Sequence, residues 1–254
     1  MAYVILSRIT NLDQLYLNKF DPKKIYCNDD AKKESAKLKE RSINLIPTPW
    51  NTQQNDTLKI STLNMRSFNN HWQDLKEDKL LISSDIIAIQ ETWLTQAPQF
   101  NIPDFFTSYV NAAHKGIALL TRKEPTTIQT TTTEHATLLK ATFSEFNLIN
   151  VYRYSNNSNL QGFFTELSNL IDPTVTTLCL GDFNIDLHQS PQNAVTAGLN
   201  SLGFHQLTSE STHIMGGLLD HIYFLSQHNA RCNIFTITPQ YWSDHDAVCC
   251  ILKL

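Results

Sequence analysis

Asp182 and Asn184 stand two residues apart at the end of the apolar run Thr177-Leu178-Cys179-Leu180. In an extended chain residues two apart point the same way, so a carboxylate and a carboxamide would share one pocket. Gly181 is expected to break the strand just before them. Five other stretches carry polar residues of compatible kinds: Leu63-Asn64-Met65-Arg66, Ile89-Gln90-Glu91-Thr92, Val151-Tyr152-Arg153, Leu219-Asp220-His221-Ile222 and Ser243-Asp244-His245. Taken singly, most have ordinary explanations. A Gly-Asp pair makes turns, Glu91 could be a solvated strand end, and His245 a structural hydrogen-bonder. Asp220, inside an apolar strand, resists such an explanation, because a buried carboxylate needs a partner.

Together the six stretches hold what phosphodiester hydrolysis requires. Glu91 can bind a hard divalent cation through oxygen, as Mg²⁺ prefers, and Mn²⁺ would suit the same ligand; Asp244 is a further candidate ligand. Asp182 can orient and deprotonate the attacking water. His245, Asn64, Asn184 and Tyr152 can donate to phosphoryl oxygens as charge builds on them. Asp220 would hold His245 in one tautomer and favour its charged form.

The elements that must position these groups read from Leu58 onward. Lys59 to Asn64 alternates like a strand. His71 to Ile82 has helical spacing, and Asp85 to Glu91 and Gly116 to Thr121 are apolar strands. Residues 126–133, Thr137 to Phe143 and Phe146 to Tyr152 read as antiparallel strands with a turn at Ser144-Glu145. Gln161 to Ile171 is an amphipathic helix. Ser190 is the expected N-cap of another, with Pro191 at its first position and Gly203 at its end. Leu218 to Phe224 and Ala247 to Leu252 are the expected last two strands. Strands outnumber helices, and polar residues sit repeatedly at strand ends.

Composition narrows the class. At 254 residues, with 41% hydrophobic and 17% charged residues, the chain suits one good-sized α/β domain plus an appendage. No apolar run approaches the ~18 residues of a membrane span, and the N-terminus does not read as a signal peptide. Five cysteines without CxxC spacing argue for a reducing compartment, so the expected location is nuclear or cytoplasmic rather than secreted, with a monomeric chain and no membrane partner. The net charge is −4: residues 1–41 hold nine Lys/Arg against six Asp/Glu, and residues 42–254 eleven against eighteen. A protein that grips DNA mainly by counterion release should be basic, so contact with DNA must be local or helped by another region.

Residues 1–45 differ from the rest. Tyr3 to Arg8 begins as an apolar strand ending on a basic residue, and Asp29 to Arg41 reads as a solvated linker helix. Pro47, Pro49 and the polar run to Asp56 make residues 46–56 a linker, leaving 57–254 as the main domain. The Tyr-Val-x-Leu-Ser-Arg strand resembles the last motif of Pif-family DNA helicases, with Arg8 at the position of an arginine aimed at a nucleotide phosphate. No GxxxxGK[ST] loop occurs in this chain, so Arg8 has no nucleotide to act on and no ATPase is expected.

The six motifs in this order resemble the endonuclease/exonuclease/phosphatase superfamily across residues 58–254. That resemblance implies a four-layer α/β (α+β) sandwich, with two mixed β-sheets packed face to face and helices outside, as in DNase I. It also implies a site at one end, between the sheets. Val151-Tyr152-Arg153, Gly181 to Leu187, and Thr212 eight residues before Asp220 are most similar to LINE-type retrotransposon endonucleases. The resemblance implies DNA as partner, with Arg66, Arg153, Thr212 and Ser243 at the substrate. The helicase-like head points to Helentron-type rolling-circle (Helitron) transposons, in which a helicase in cis precedes such an endonuclease. Apurinic endonucleases have an Asp where this chain has Arg66, which removes one metal ligand and leaves Glu91 more alone. Two alternatives stay open: a phosphatase or phospholipase of the same superfamily, and an inactive DNA-binding relic.

Overall fold

The computed structural model describes residues 57–254, apart from 97–101, 157 and 228. The expectations for the head, the Arg8 strand and the linker to Asp56 lie outside the described residues. In chain order the elements are β1 (Thr57–Asn64), α1 (Phe68–Glu77), α2 (Lys79–Ile82), β2 (Ile86–Gln90), β3 (Phe106–Val110), β4 (Ile117–Thr121), β5 (Thr127–Thr132) and β6 (Ala136–Thr142). They continue with β7 (Asn147–Arg153), α3 (Leu160–Ser168), β8 (Thr177–Asp182), α4 (Ala194–Ser201), β9 (His205–Gln206), β10 (Asp220–Leu225), β11 (Arg231–Thr238) and β12 (Ala247–Lys253).

The strands form two six-stranded sheets, ordered β11-β12-β1-β2-β4-β3 and β5-β6-β7-β8-β10-β9. In the first, β1 and β2 run parallel; in the second, β7 and β8 do; the remaining neighbours are antiparallel, so both sheets are mixed. Each parallel pair needs a crossover, and the helices supply it: α1 and α2 between β1 and β2, α3 between β7 and β8. Between the sheets lies the main core, where Ile60, Ala88 and Leu119 of one sheet are buried in one cluster with Leu148, Leu180 and Ile222 of the other. The opposite face of the second sheet packs Ile149, Val151 and Cys179 against Phe163 and Leu167 of α3 and Val195 and Leu199 of α4. This is the expected sandwich of two mixed sheets with helices outside.

Alternation along these strands decides the site. Because Ile60, Leu148, Leu180 and Ile222 face the inter-sheet core, the residues an even number of steps away face it too: Asn64, Tyr152, Asp182 and Asp220. Register aligns them. Tyr152 pairs with Asp182 and Asp182 with Asp220 across β7, β8 and β10, while Asn64 pairs with Gln90 in the facing sheet.

Several boundaries differ from the sequence reading. The helix expected over His71 to Ile82 is two: Asp78 adopts an extended backbone and accepts the Leu80 and Leu81 amides, both at 2.9 Å, which ends α1 and caps α2. Asn193 rather than Ser190 caps α4, its Oδ1 taking the Val195 and Thr196 amides. Gly181 does not break β8 but lies within it, at φ 135°. A Cβ there would run into the Val151 carbonyl oxygen, so glycine is what lets β7 and β8 approach beside the site. Strands β3, β9 and β11 were not foreseen, and β11 displaces the expectation that β10 and β12 are the last two. All three are edge strands, whose burial pattern is weak, and β11 also shifts register between Ile234 and Thr236. Among the described residues no helix is long and apolar enough to cross a membrane.

Candidate active site

At one end of the sandwich the strand ends deliver a row of buried charge. Asp220 Oδ2 accepts from His245 Nδ1 at 2.8 Å, and His245 Nε2 lies 4.0 Å from Asp182 Oδ2. Asp182 and Asp220 are 1% and 0% exposed, so neither carboxylate is screened by bulk water. Burial pushes the Asp182 carboxyl up to about 7, against the pull of His245 and the Asn64 amide. Burial alone would lower the His245 pKa, but the Asp220 and Asp182 carboxylates override it and lift it to about 10. Near neutral pH His245 is therefore a cation with an Nε2–H that makes no hydrogen bond to Asp182. Among the described residues Asp220 Oδ1 has no hydrogen-bond partner, which concentrates that carboxylate's charge on His245.

Facing this row is Glu91, just beyond β2. Its backbone turns through φ 50°, which swings the side chain toward the second sheet. Asn64 Nδ2 and Tyr152 OH donate to Oε1 at 3.0 and 2.9 Å, and Trp93 Nε1 donates to Oε2 at 3.2 Å. Asn64 Nδ2 also donates to Asp182 Oδ2 at 2.9 Å, so one carboxamide ties the two carboxylates together. Burial, and then the Glu91 charge, raise the Tyr152 pKa and keep the phenol a donor.

Asp182 and Asn184 do meet, though not by extended alternation. Asn184 turns at φ 48°, its amide donates to Asp182 Oδ1 at 2.8 Å, and its Nδ2 donates to the Arg153 carbonyl at 2.7 Å and to Asp182 Oδ2 at 3.3 Å. Of eight non-glycine residues with positive φ among the described residues, five (Arg66, Ser67, Glu91, Trp93 and Asn184) lie in these site loops. Each costs of order 1–3 kcal/mol, and such strain gathers where surrounding contacts over-determine a functional geometry. Here the Ser67 and Phe68 amides donate to the Glu91 and Thr92 carbonyls at 2.9 and 2.8 Å, locking two of the loops together.

Three of the residues expected at the substrate make hydrogen bonds within the protein. Thr212 is fully buried, and its hydroxyl accepts the Leu219 and Asp220 amides at 3.1 and 3.0 Å; it holds the start of β10. Arg153 is 5% exposed and donates to the Phe183 and Asn184 carbonyls, fixing the turn after β8. Ser243 donates to the Asn64 carbonyl at 2.7 Å and accepts the His245 amide at 3.1 Å, tying β1 to the histidine loop. Arg66 is the exposed one of the four, and it pairs with Asp244 Oδ2 at 2.6 Å. Asn64 and Tyr152 likewise direct their donors at carboxylates.

Sequence reading missed a strut beneath the site. Gln90 and Asn150, both fully buried and on opposite sheets, meet through Gln90 Nε2 and Asn150 Oδ1 at 2.7 Å. Gln90 also bonds Thr62, and Asn150 Nδ2 reaches back to the Ile89 and Ala118 carbonyls. The strut sets the sheet spacing one residue from Glu91 and two from Tyr152. A buried amide at an inward position of each strand was the available signal. His221 acts similarly at the other side. Burial pushes its pKa down to about 4, and its neutral Nε2–H joins the Ile185 and Leu218 carbonyls at 2.9 and 3.2 Å.

The donor set suits a hard cation. Glu91 is an oxygen ligand oriented by three donors, with lone-pair capacity left on Oε2. The acidic and imidazole groups that crowd within 4.8 Å are Asp182, Asp220 and His245, and His213, Asp244 and His245; among the described residues Glu91 belongs to neither set. Asp244 gives Oδ2 to Arg66, but among the described residues its buried Oδ1 has no hydrogen-bond partner, so Glu91 and Asp244 both stand as candidate ligands.

The sequence profile of the Endonuclease/Exonuclease/phosphatase family matches residues 61–245. No curated protein matches the chain. Solved structures with the same fold include the 3′-5′ exonuclease NExo from Neisseria meningitidis, 19% identical with a TM-score of 0.60 over 76% of this chain and 98% of that one. An AP endonuclease from Archaeoglobus fulgidus is 16% identical, with a TM-score of 0.59 over 76% and 98% of the two chains. The endonuclease domain of TRAS1, a telomere-specific non-LTR retrotransposon, is 12% identical, with a TM-score of 0.59 over 78% and 99%. At these identities the likeness is one of fold.

Proposed function

The chain belongs to the endonuclease/exonuclease/phosphatase family, and we propose that within it this chain is a divalent-metal-dependent DNA endonuclease that nicks a strand by hydrolysing a phosphodiester. The observation that carries the reading is the pairing of a near-neutral buried carboxylate, Asp182, with a charged imidazole, His245, 4.0 Å away. Asp182 Oδ1 keeps a lone pair for the attacking water and takes its proton as the water oxygen bonds phosphorus. His245 Nε2–H donates to the phosphoryl oxygen on which negative charge grows, and Asp220 holds that imidazole charged. The bond from phosphorus to the leaving sugar oxygen then breaks, that oxygen takes up a proton from solvent water, and Asp182 returns its proton to solvent. Asn64, Asn184 and Tyr152 hold the two carboxylates at fixed separation. A divalent cation, Mg²⁺ or Mn²⁺, held by Glu91 would supply charge neutralisation at the phosphate.

DNA is favoured as substrate by the rim. Ile214 and Met215, 70% and 85% exposed in the loop that pairs with His245, are large apolar groups beside the site. Such groups press against or between bases, whereas an inositol phosphate offers them nothing. The exonuclease, AP endonuclease and retrotransposon endonuclease that share the fold favour the same substrate. The resemblance of the head to Pif-family helicases supports a transposable-element origin with a helicase in cis, which an in-frame P-loop helicase upstream in the genome would test.

The deciding experiment is nicking of supercoiled plasmid with Mg²⁺ or Mn²⁺, beside hydrolysis of inositol phosphates and sphingomyelin. Nicking that disappears with chelator and falls about a hundredfold or more in Asp182→Ala and His245→Ala is expected. Wild-type nicking by both variants would refute the assignment. Phosphatase activity without nicking would favour the rival enzyme class, and DNA binding without hydrolysis the inactive relic.

A further inference from the structure

One histidine on the rim has no part in the chemistry above. His213 follows Thr212 in the loop before β10 and pairs with His245 as an isolated antiparallel bridge. The Ile214 amide donates to the Asp244 carbonyl at 2.9 Å and the Asp246 amide to the Thr212 carbonyl at 2.7 Å. These bonds set the His213 ring edge-on to the His245 ring, with centroids 4.8 Å apart.

The tautomer of His213 follows from its neighbours. The Met215 amide donates to Nδ1 at 3.2 Å, so Nδ1 keeps its lone pair and the proton sits on Nε2. That Nε2–H faces Asp244 Oδ2 but stops 3.6 Å away, beyond hydrogen-bond reach. The same oxygen takes Arg66 Nη1 at 2.6 Å; the Arg66 side chain is 49% exposed and uses one of its five N–H donors there. A metal ion shared by His213, Asp244 and His245 would need the Nε2 lone pair, which this tautomer does not offer. The cluster instead presents spare donors beside the charged His245.

We propose that His213 and Arg66, gathered around Asp244, form a phosphate subsite that takes a DNA backbone phosphate flanking the one being cut. The proposal rests on the endonuclease reading and deepens it. Arg66 offers the planar fork that fits phosphate, with its position fixed by Asp244. His213 adds an Nε2–H donor whose direction is set by the Met215 amide. Contacts of this kind position a duplex without reading its sequence, which suits a domain whose overall charge is negative and whose grip must be local.

The test uses the full chain with Mg²⁺ and a short duplex whose cut is mapped with the wild type. Three variants are compared: His213→Phe, which keeps a ring and loses the donor, His213→Gln, which keeps an N–H at similar reach, and Arg66→Gln. One net hydrogen bond predicts a KM raised about three- to tenfold in His213→Phe, with kcat within about threefold and His213→Gln close to wild type. Arg66→Gln should also lower the slope of log affinity against log salt by about one. In duplexes with one uncharged methylphosphonate at each flanking position in turn, one position should weaken the wild type and leave His213→Phe no weaker than on unmodified DNA. A methylphosphonate scan identical in wild type and His213→Phe, or a loss confined to kcat, would overturn the subsite. A wild type that nicks while His213→Phe matches it sinks the subsite alone. A wild type that never nicks DNA sinks the endonuclease reading and the subsite with it.

Discussion

Replacing Asp220 by Asn should cripple catalysis in a pH-dependent way while leaving the fold standing. The carboxylate lies 2.8 Å from His245 Nδ1, and both groups are buried. Two unit charges at about 4 Å in an effective dielectric of about 20 attract by about 4 kcal/mol, or about three pKa units. With burial opposing and Asp182 and Asp244 adding to it, an attraction of that size takes the largest upward share in lifting His245 to about 10 from an ordinary 6.5. Without Asp220 the imidazole should titrate about three units lower, at about 7, because only Asp182 and Asp244 then oppose burial. The wild type needs Asp182 ionised and His245 charged, so its rate should rise through about 7 and fall through about 10. In Asp220→Asn the alkaline limb should move down by about three units, and the acid limb should move down as well, since Asp220 helps raise Asp182. Single-turnover plasmid nicking from pH 6 to 10 is the assay. Against wild type, the deficit should be about ten- to thirtyfold larger at pH 8.5 than at pH 6.5, with a loss of about 10²–10³ where wild type is fastest. The carboxamide keeps the shape, so the fold should lose at most about 2 kcal/mol, or about 4–8 °C of melting temperature. A deficit that is the same at every pH would refute the electrostatic account. Normal nicking with a much lower melting temperature would make Asp220 a purely structural residue.

Glu91→Gln should raise the Mg²⁺ concentration for half-maximal nicking by at least about tenfold, read from a metal titration with melting temperature as control. Gln90→Leu removes the strut donor from Asn150 and should cost about 1–3 kcal/mol in denaturant unfolding; because Glu91 and Tyr152 then lose their fixed spacing, kcat should fall more than KM rises. A chain beginning at residue 57 retains every described strand of both sheets, so it should fold and nick plasmid at a rate within about threefold of the full chain, judged by calorimetry and nicking side by side.

Sequence alone went far toward the fold because the central strands are apolar on both faces and their ends carry polar residues. Residues such as Ile86 to Ile89 and Leu178 to Leu180 announce buried strands whatever their partners. The order of six motifs then pointed to one architecture and to Asp182, Glu91 and His245 as candidates. Edge strands β3, β9 and β11 were illegible because all but one of their residues are at least partly exposed, and solvent imposes no pattern. What tertiary structure decided was which donor faces which acceptor. Thr212, Arg153 and Ser243 look like substrate contacts in a linear reading, yet each turns to a backbone group brought near from elsewhere in the chain. Gln90 and Asn150 meet across 60 residues, and His213 meets Asp244 only because two loops pair. Local spacing determines the direction in which a side chain leaves its strand. The partner waiting there, and the charge it imposes, depend on how two sheets stack, which is set by packing between residues far apart in sequence.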